Sequence, residues 1–314
     1  MNSKSKELII FSQISKIYGN HEILHNLSLC LTSGRSLAIL GPNGAGKTSM
    51  IRIILGVVKP SNGIISIFGH PISTSSFESK KKIGVVIEEQ TFFLDMSGLD
   101  YLNLFGELYE VPDYISRALS LLKYMELYSA RNKKLKEYST GMKKKLNIIQ
   151  AVLHQPEILI LDEPFSGLDP LGISLTLDLL HNMKASGTTL IISSHILSEI
   201  DDLVEDLLLI DKGEIKAYGS KEELWERLEG NCTMNLTLLE DNAKGLNVLE
   251  KLPEIIGRKD LGELQYIYTI VDNKAFREKI SQIIIDYQFM ISHLSFTNPS
   301  IKIVYEKIMG SNFQ

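Results

Sequence analysis

The eight residues "GPNGAGKT", 41–48, restrict the fold of this chain more than any other stretch of comparable length. They fit the pattern G-x-x-x-x-G-K-[ST], with an apolar run, "SLAIL", leading in and an apolar-periodic segment, "KTSMIRIILGVV", leading out. Glycines at 41, 44 and 46 let the backbone curl until successive N–H groups face one point, which makes an anion-binding concavity. The helix that begins at Lys47 adds the positive end of its dipole there. Lys47 would reach the outer phosphates of a bound polyphosphate, and Thr48 would place its hydroxyl on Mg²⁺. A strand, a loop and a helix in this order open a parallel sheet covered by helices.

Such a loop needs a second metal ligand, and "ILILDEP" offers one. Four apolar residues from Ile158 to Leu161 predict a buried strand with Asp162 at its C-terminal edge, where a carboxylate can hold Mg²⁺ through water. Glu163 follows directly and can polarise an attacking water as a general base. Residues 157–164 and 188–195 read as strands with the helical "SLTLDLLHNMKASG" between them, which extends the parallel sheet. Residues 7–40 read as strands and turns, and helical periodicity across 98–155 predicts an insertion at about 91–155. From residue 230 the pattern restarts as strands at "NCTMNLTLL", "ELQYIYTIV" and "FMISHLSF", alternating with three helices. Residues 230–314 therefore read as a small α+β domain, a dimerisation or regulatory module without catalytic residues.

Composition narrows the partners. The net charge is −5 and no basic face is apparent, which argues against nucleic acid as a partner. The lysine runs at 80–82 and 143–145 read as solvated surface charge. Two distant cysteines, Cys30 and Cys232, suggest neither a disulfide framework nor a metal site. No stretch approaches the length of a membrane span or the apolar core of a signal peptide. The expectation is a cytosolic protein that serves a membrane only through a partner.

The segment "YSTGMKKKLNIIQ", 138–150, completes a pattern. It resembles the LSGGQ signature of ATP-binding cassette (ABC) ATPases: Ser139 and Gly141 match, while Tyr138, Thr140 and Met142 replace Leu, Gly and Gln. With the phosphate loop and the Asp162–Glu163 pair, the chain resembles the ATPase subunit of an ABC transporter over residues 7–228. The resemblance implies a P-loop α/β fold, a mostly parallel sheet with an antiparallel part and a helical insertion, spanning 1–229. It implies ATP and Mg²⁺ as ligands. ATP would be held by Gly41, Pro42, Asn43, Gly44, Ala45, Gly46, Lys47, Thr48 and Ser49, with Tyr18 stacked on adenine. Ser139, Thr140 and Gly141 would bind the ATP of another subunit. Asp169, in "FSGLD", would lie at that contact, and His195, ending "LIISSH", would meet the γ-phosphate.

The family carries a glutamine just after the strand that closes the first lobe. Counting along "IGVVIEEQTFF", that position falls on Glu88 rather than Gln90. An ionised carboxylate can ligate Mg²⁺, with Thr48 and Asp162, but cannot donate a hydrogen bond. The glutamate loop and the C-terminal extension resemble subunits of lantibiotic-immunity and bacitracin-resistance exporters. These likenesses imply a homodimer with ATP at its interface, docked on separate permease subunits at the cytoplasmic membrane face and powering efflux of a peptide antibiotic. Export of another drug, an ion or a lipid is the near alternative. An importer subunit, or a soluble ABC ATPase acting on ribosomes or DNA, is the more distant one.

Overall fold

The computed structural model describes residues 7–72, 77–88, 91–194, 196–228, 232–271, 274–297 and 300–310. The chain forms two compact units, Met1–Gly219 with Ile308–Gln314, and Ser220–Lys307. The sequence reading placed this division ten residues later, after the short helix that follows Ser220.

In the first unit the strands come in two sheets. β1 (Glu7–Tyr18) and β2 (His21–Thr32) form a long antiparallel hairpin that turns at Gly19. After β3 (Leu37–Leu40) and α1 (Lys47–Ile54), β4 (Asn62–Ile67) pairs with β1 and the short β5 (His70–Pro71) closes the sheet in the order β2-β1-β4-β5. The second sheet takes β6 (Ile83–Val86) after the single turn α2 (Phe77–Lys80). The helical insertion follows as α3 (Gly98–Leu108), α4 (Tyr114–Tyr124) and α5 (Thr140–Val152). Then come β7 (Ile158–Asp162), α6 (Pro170–Ala185), β8 (Thr189–Ser193), α7 (Leu197–Ile200), β9 (Asp206–Asp211) and β10 (Glu214–Ser220).

The six-stranded order is β10-β9-β3-β8-β7-β6, parallel from β9 to β6. Every residue of β3, β7 and β8 is buried, as expected where helices cover both faces of a parallel sheet. That burial explains why these strands read as unbroken apolar runs rather than alternating ones. The register sets Ala38 beside Ile192 and Asp162 beside Ser193. The loop after β3 and the acids after β7 therefore emerge at one edge, the carboxyl end of the strands, where open α/β sheets bind ligands.

The second unit begins with α8 (Lys221–Arg227), started by a capping box between Ser220 and Glu223. It continues as β11 (Cys232–Leu238), α9 (Ala243–Leu249), β12 (Ile255–Gly262), β13 (Gln265–Ile270), α10 (Lys274–Asp286), β14 (Ile291–Thr297) and α11 (Ile301–Met309). The sheet order is β12-β13-β11-β14, antiparallel throughout, so β11 to β14 make the split β-α-β of ferredoxin-like domains. β12 was not anticipated from sequence. It carries Gly257, Arg258, Lys259, Asp260 and Gly262, pairs on one side only, and is mostly exposed. Charges and glycine suit an edge strand but hide its period. Its turn to β13 holds Glu263 and Leu264 at φ 50° and 60°, the left-handed pair of a tight hairpin without the usual Asn-Gly signal.

Candidate functional site

The phosphate loop is shaped by what lies behind it. A Cβ on Gly41 would collide with the carbonyl oxygen of Ile210, and Gly46 holds φ 107° with the Leu24 side chain 2.6 Å from where its Cβ would lie. Both positions exclude larger residues, and Gly46 leads straight into α1. The Lys47 ammonium folds back over the loop and donates to the carbonyls of Gly41 at 2.5 Å and Pro42 at 3.2 Å. Burial pulls its pKa below the ordinary lysine value, while the carboxylates of Glu163, Asp162 and Glu88 act in the opposite sense.

Asp162 is buried at the end of β7 and accepts a hydrogen bond from the Ser193 hydroxyl on the adjoining β8. The next residue, Glu163, has φ 48°, in the left-handed region that costs a non-glycine residue about 1 kcal/mol or more. Its peptide is pinned from both sides. Its N–H donates to the Ser193 carbonyl at 3.1 Å, and its carbonyl accepts from Lys144 Nζ at 2.9 Å. The chain thus turns sharply at the carboxylate that the sequence assigned as general base.

One cavity of about 320 Å³ gathers most of the expected site. Its walls are Tyr18, Ile23, the loop from Pro42 to Ser49, Glu88, Asp162 and Glu163. Gly41 is buried behind the loop rather than in the wall. Tyr18 is 42% exposed at the cavity wall, with Lys16 Nζ 4.7 Å from its ring centroid. Ile23, Ser193 and Lys144 carry no site assignment from sequence; Ser193 shows there only as a polar residue ending the apolar run "TLIIS", and Lys144 only as part of the lysine run 143–145.

The signature residues do not enter this cavity. Ser139 caps α5 by accepting from Met142 N at 3.2 Å, and Ser139 and Thr140 are exposed with Gly141 half-buried. Asp169 caps α6 from an exposed position, accepting from Gly172 N at 3.0 Å, with Lys145 Nζ 3.7 Å away. His195, Glu89 and Gln90 lie outside the described residues. The reading of 143–145 as solvated lysines is corrected: Lys144 and Lys145 are each only 8% exposed. They sit on a helix whose residues from Lys144 to Val152 are all buried, so their ammonium groups turn to Glu163 and Asp169.

A second cavity of about 390 Å³ is lined by Glu88, Thr140 and Lys144 together with Phe92, Leu94 and Asn147. Among the described residues no group of three His, Cys, Asp or Glu side chains is arranged to hold a metal. Magnesium bound to a nucleotide does not require one, because it takes one or two protein oxygens and completes its shell with phosphate and water. The Thr48 hydroxyl and the Asp162 carboxylate in one cavity wall fit that donor set.

Comparison with known proteins gives a consistent picture. The family profile described as ABC transporter matches residues 24–166. The chain is 34% identical to a linearmycin resistance ATP-binding protein of Bacillus subtilis, over 77% of this chain and 78% of that one. It is also 34% identical to a lantibiotic transport ATP-binding protein of Streptococcus pyogenes, over 70% of this chain and 95% of that shorter one. Among solved structures, the ATP-binding subunit of an ABC transporter superposes with a TM-score of 0.67 at 28% identity, covering 70% of this chain and 92% of its own.

Proposed function

Because the chain belongs to the family of ABC transporter ATP-binding subunits, we propose that it powers export of a peptide antibiotic, or a similar amphipathic compound, through separate permease subunits. The chain is an ATPase, and its reaction is attack of water on the γ-phosphate of ATP. The observation that carries the detailed reading is a division. Tyr18, the phosphate loop, Glu88, Asp162 and Glu163 share one cavity, whereas Ser139, Thr140, Gly141 and Asp169 lie outside it on accessible helix starts. Each chain supplies two unlike halves of a nucleotide pocket, and two copies would supply both halves twice. A homodimer closed by ATP follows.

Within such a pocket, Lys47 and the loop amides from Gly44 to Ser49 would hold the phosphates, and Tyr18 would stack on the base. Glu163 would take the proton from the attacking water. The helix start at Ser139 of the second copy would face the transferred charge, a fixed donor set of the kind that lowers phosphoryl-transfer barriers. Mg²⁺, which Thr48, Asp162 and Glu88 would hold, offsets phosphate charge. His195 keeps its assignment as a γ-phosphate partner by resemblance.

The permease would meet the surface beyond Glu88, where Phe93 is 59% exposed and Leu94 48% exposed. No helix of the described residues is long and apolar enough to cross a membrane. Attachment to the cytoplasmic membrane face would therefore come through the permease. Residues 1–229 would act as the ATP-binding domain and 230–314 as an accessory module. An antibiotic as cargo is supported by the names of the linearmycin and lantibiotic relatives. Expressing the chain with its permease in a susceptible host tests this. Resistance to a lantibiotic or to bacitracin should rise and should vanish with Glu163→Gln. ATP hydrolysis without any change in susceptibility would remove the antibiotic cargo and leave the ATPase.

A further inference from the structure

Two lysines, half-buried Lys47 and buried Lys144, feel the same three carboxylates of the site, and the hydrolysis derived above uses one of them. Lys144 is the other. It is 8% exposed and lies on α5, five residues beyond the Ser139 cap, or about 7–8 Å along the axis at 1.5 Å per residue. Its Nζ donates at 2.9 Å to the carbonyl oxygen of Glu163, the residue held in the left-handed region. It lines the same 390 Å³ cavity as Glu88. Burial lowers the pKa of its ammonium, and the carboxylates of Glu88, Asp162 and Glu163 oppose that in this order. For Lys47 the same acids act with Glu163 first and Glu88 last. Glu88 lines both cavities, Lys47 lines one and Lys144 the other, so the two cations flank that carboxylate from different cavities. With Lys47 drawn onto phosphates, Lys144 would be the lysine left in the cavity that Glu88 also lines.

We infer that Lys144 is a positioning residue for ATP hydrolysis, fixing the peptide of Glu163 through its carbonyl and setting a cation against the Glu88 carboxylate. The inference rests on the ATPase reading. It also joins the two halves of the pocket mechanically. The helix start that would touch a second copy's ATP and the peptide of this copy's general base are tied to one short stretch of α5.

The two contributions separate by substitution. Gln at position 144 retains an N–H donor for the Glu163 carbonyl and loses the charge, whereas Met loses both. ATP turnover, ATP affinity by equilibrium binding and the melting temperature are measured for wild type, Lys144→Gln and Lys144→Met, each with and without Glu88→Gln. Lys144→Gln should lower kcat about tenfold with KM nearly unchanged, the mark of a group that acts in the transition state. Adding Glu88→Gln should restore most of that loss, because residues in one charge network couple rather than add. Lys144→Met should lower kcat about a hundredfold, and Glu88→Gln should restore only part of it. ATP affinity and melting temperature of Lys144→Gln should stay close to wild type.

Wild-type kcat in Lys144→Met would overturn the inference, as would an equal fold-loss for Lys144→Gln in both Glu88 backgrounds. A fall in melting temperature and ATP affinity in step with kcat would overturn it too, since that marks a packing role. Each of these three results leaves the ATPase reading intact if Glu163→Gln still abolishes turnover. A wild-type chain that hydrolyses no ATP would defeat both.

Discussion

The two units of this chain bury different things. Every buried polar or charged residue among those described belongs to the first unit, including Lys144, Lys145, Asn147, Gln150, Asp162 and Ser193. The second unit closes over Met234, Leu236, Leu246, Tyr268, Phe276 and Ile280, with no buried ion among its described residues. A buried charge weakens a fold unless it is paired, and a cluster of such charges in a cleft is a candidate functional site. The first unit thus buries polar groups both in structural pairs such as Arg35–Asp206 and around the acidic cluster, whereas the second keeps its ion pairs, such as Arg258–Glu250 and Lys279–Glu254, outside its apolar core. Positive φ occurs at non-glycine residues of both units, at Glu163 beside the acidic cluster and at Glu263 and Leu264 in a hairpin turn, so it is the surroundings of Glu163 that set it apart.

The sharpest break between the units should come from one carboxylate. Glu163→Gln should cut ATP turnover by about a hundredfold or more, the range for losing a positioned general base, while ATP binding persists. Retained turnover would erase the claim that chemistry is confined to this acidic cluster. In the second unit, Leu236→Ala should cost that unit about 2–5 kcal/mol, read by proteolysis or hydrogen exchange. Turnover should nevertheless stay within about twofold, as expected for sites that do not share partners. A collapse of turnover would give the second unit a part in catalysis.

A smaller difference should appear with pH. His154 stacks on Tyr109 at 4.1 Å, and burial pushes its pKa from 6.5 down to about 4. The unfolded chain takes up this proton first, so stability is full above pH 6.5 and falls as pH drops toward 4. By pH 5 the loss should reach about 1–2 kcal/mol, and His154→Phe should flatten it, as seen in melting temperatures at pH 5 and 7.5. The finest contrast uses two caps. Ser139 and Asn242 each accept from a backbone N–H at the start of a helix. Replacing either with Ala should cost about 1 kcal/mol. Only Ser139→Ala should also weaken ATP-driven association, which sedimentation would detect; equal effects would deny the signature helix its role.

Much of the first unit was legible because its chemistry is local. The strand, loop and helix around Gly41–Thr48, and the apolar run ending in Asp162, are each contiguous in sequence. Glu88 and Tyr18 could be placed only by resemblance, since their arrival at the same cavity depends on sheet pairing over long separations. Lys144 and Lys145 were misread because a run of three lysines suggests water, and nothing local announces that α5 is enclosed along most of its length. β12 was missed for the complementary reason. An edge strand of glycine and charge lacks the alternation by which strands are found, and its turn uses Glu263–Leu264 in place of Asn-Gly.

The central claim is that ATP joins two copies of this chain, each lending the half-site the other lacks. Native mass determination of Glu163→Gln with saturating ATP and Mg²⁺ tests it most directly. The account predicts a two-chain particle holding two nucleotides, falling back to single chains when ATP is withdrawn. A single chain that binds ATP, while the wild type hydrolyses it at full rate without associating, would contradict it.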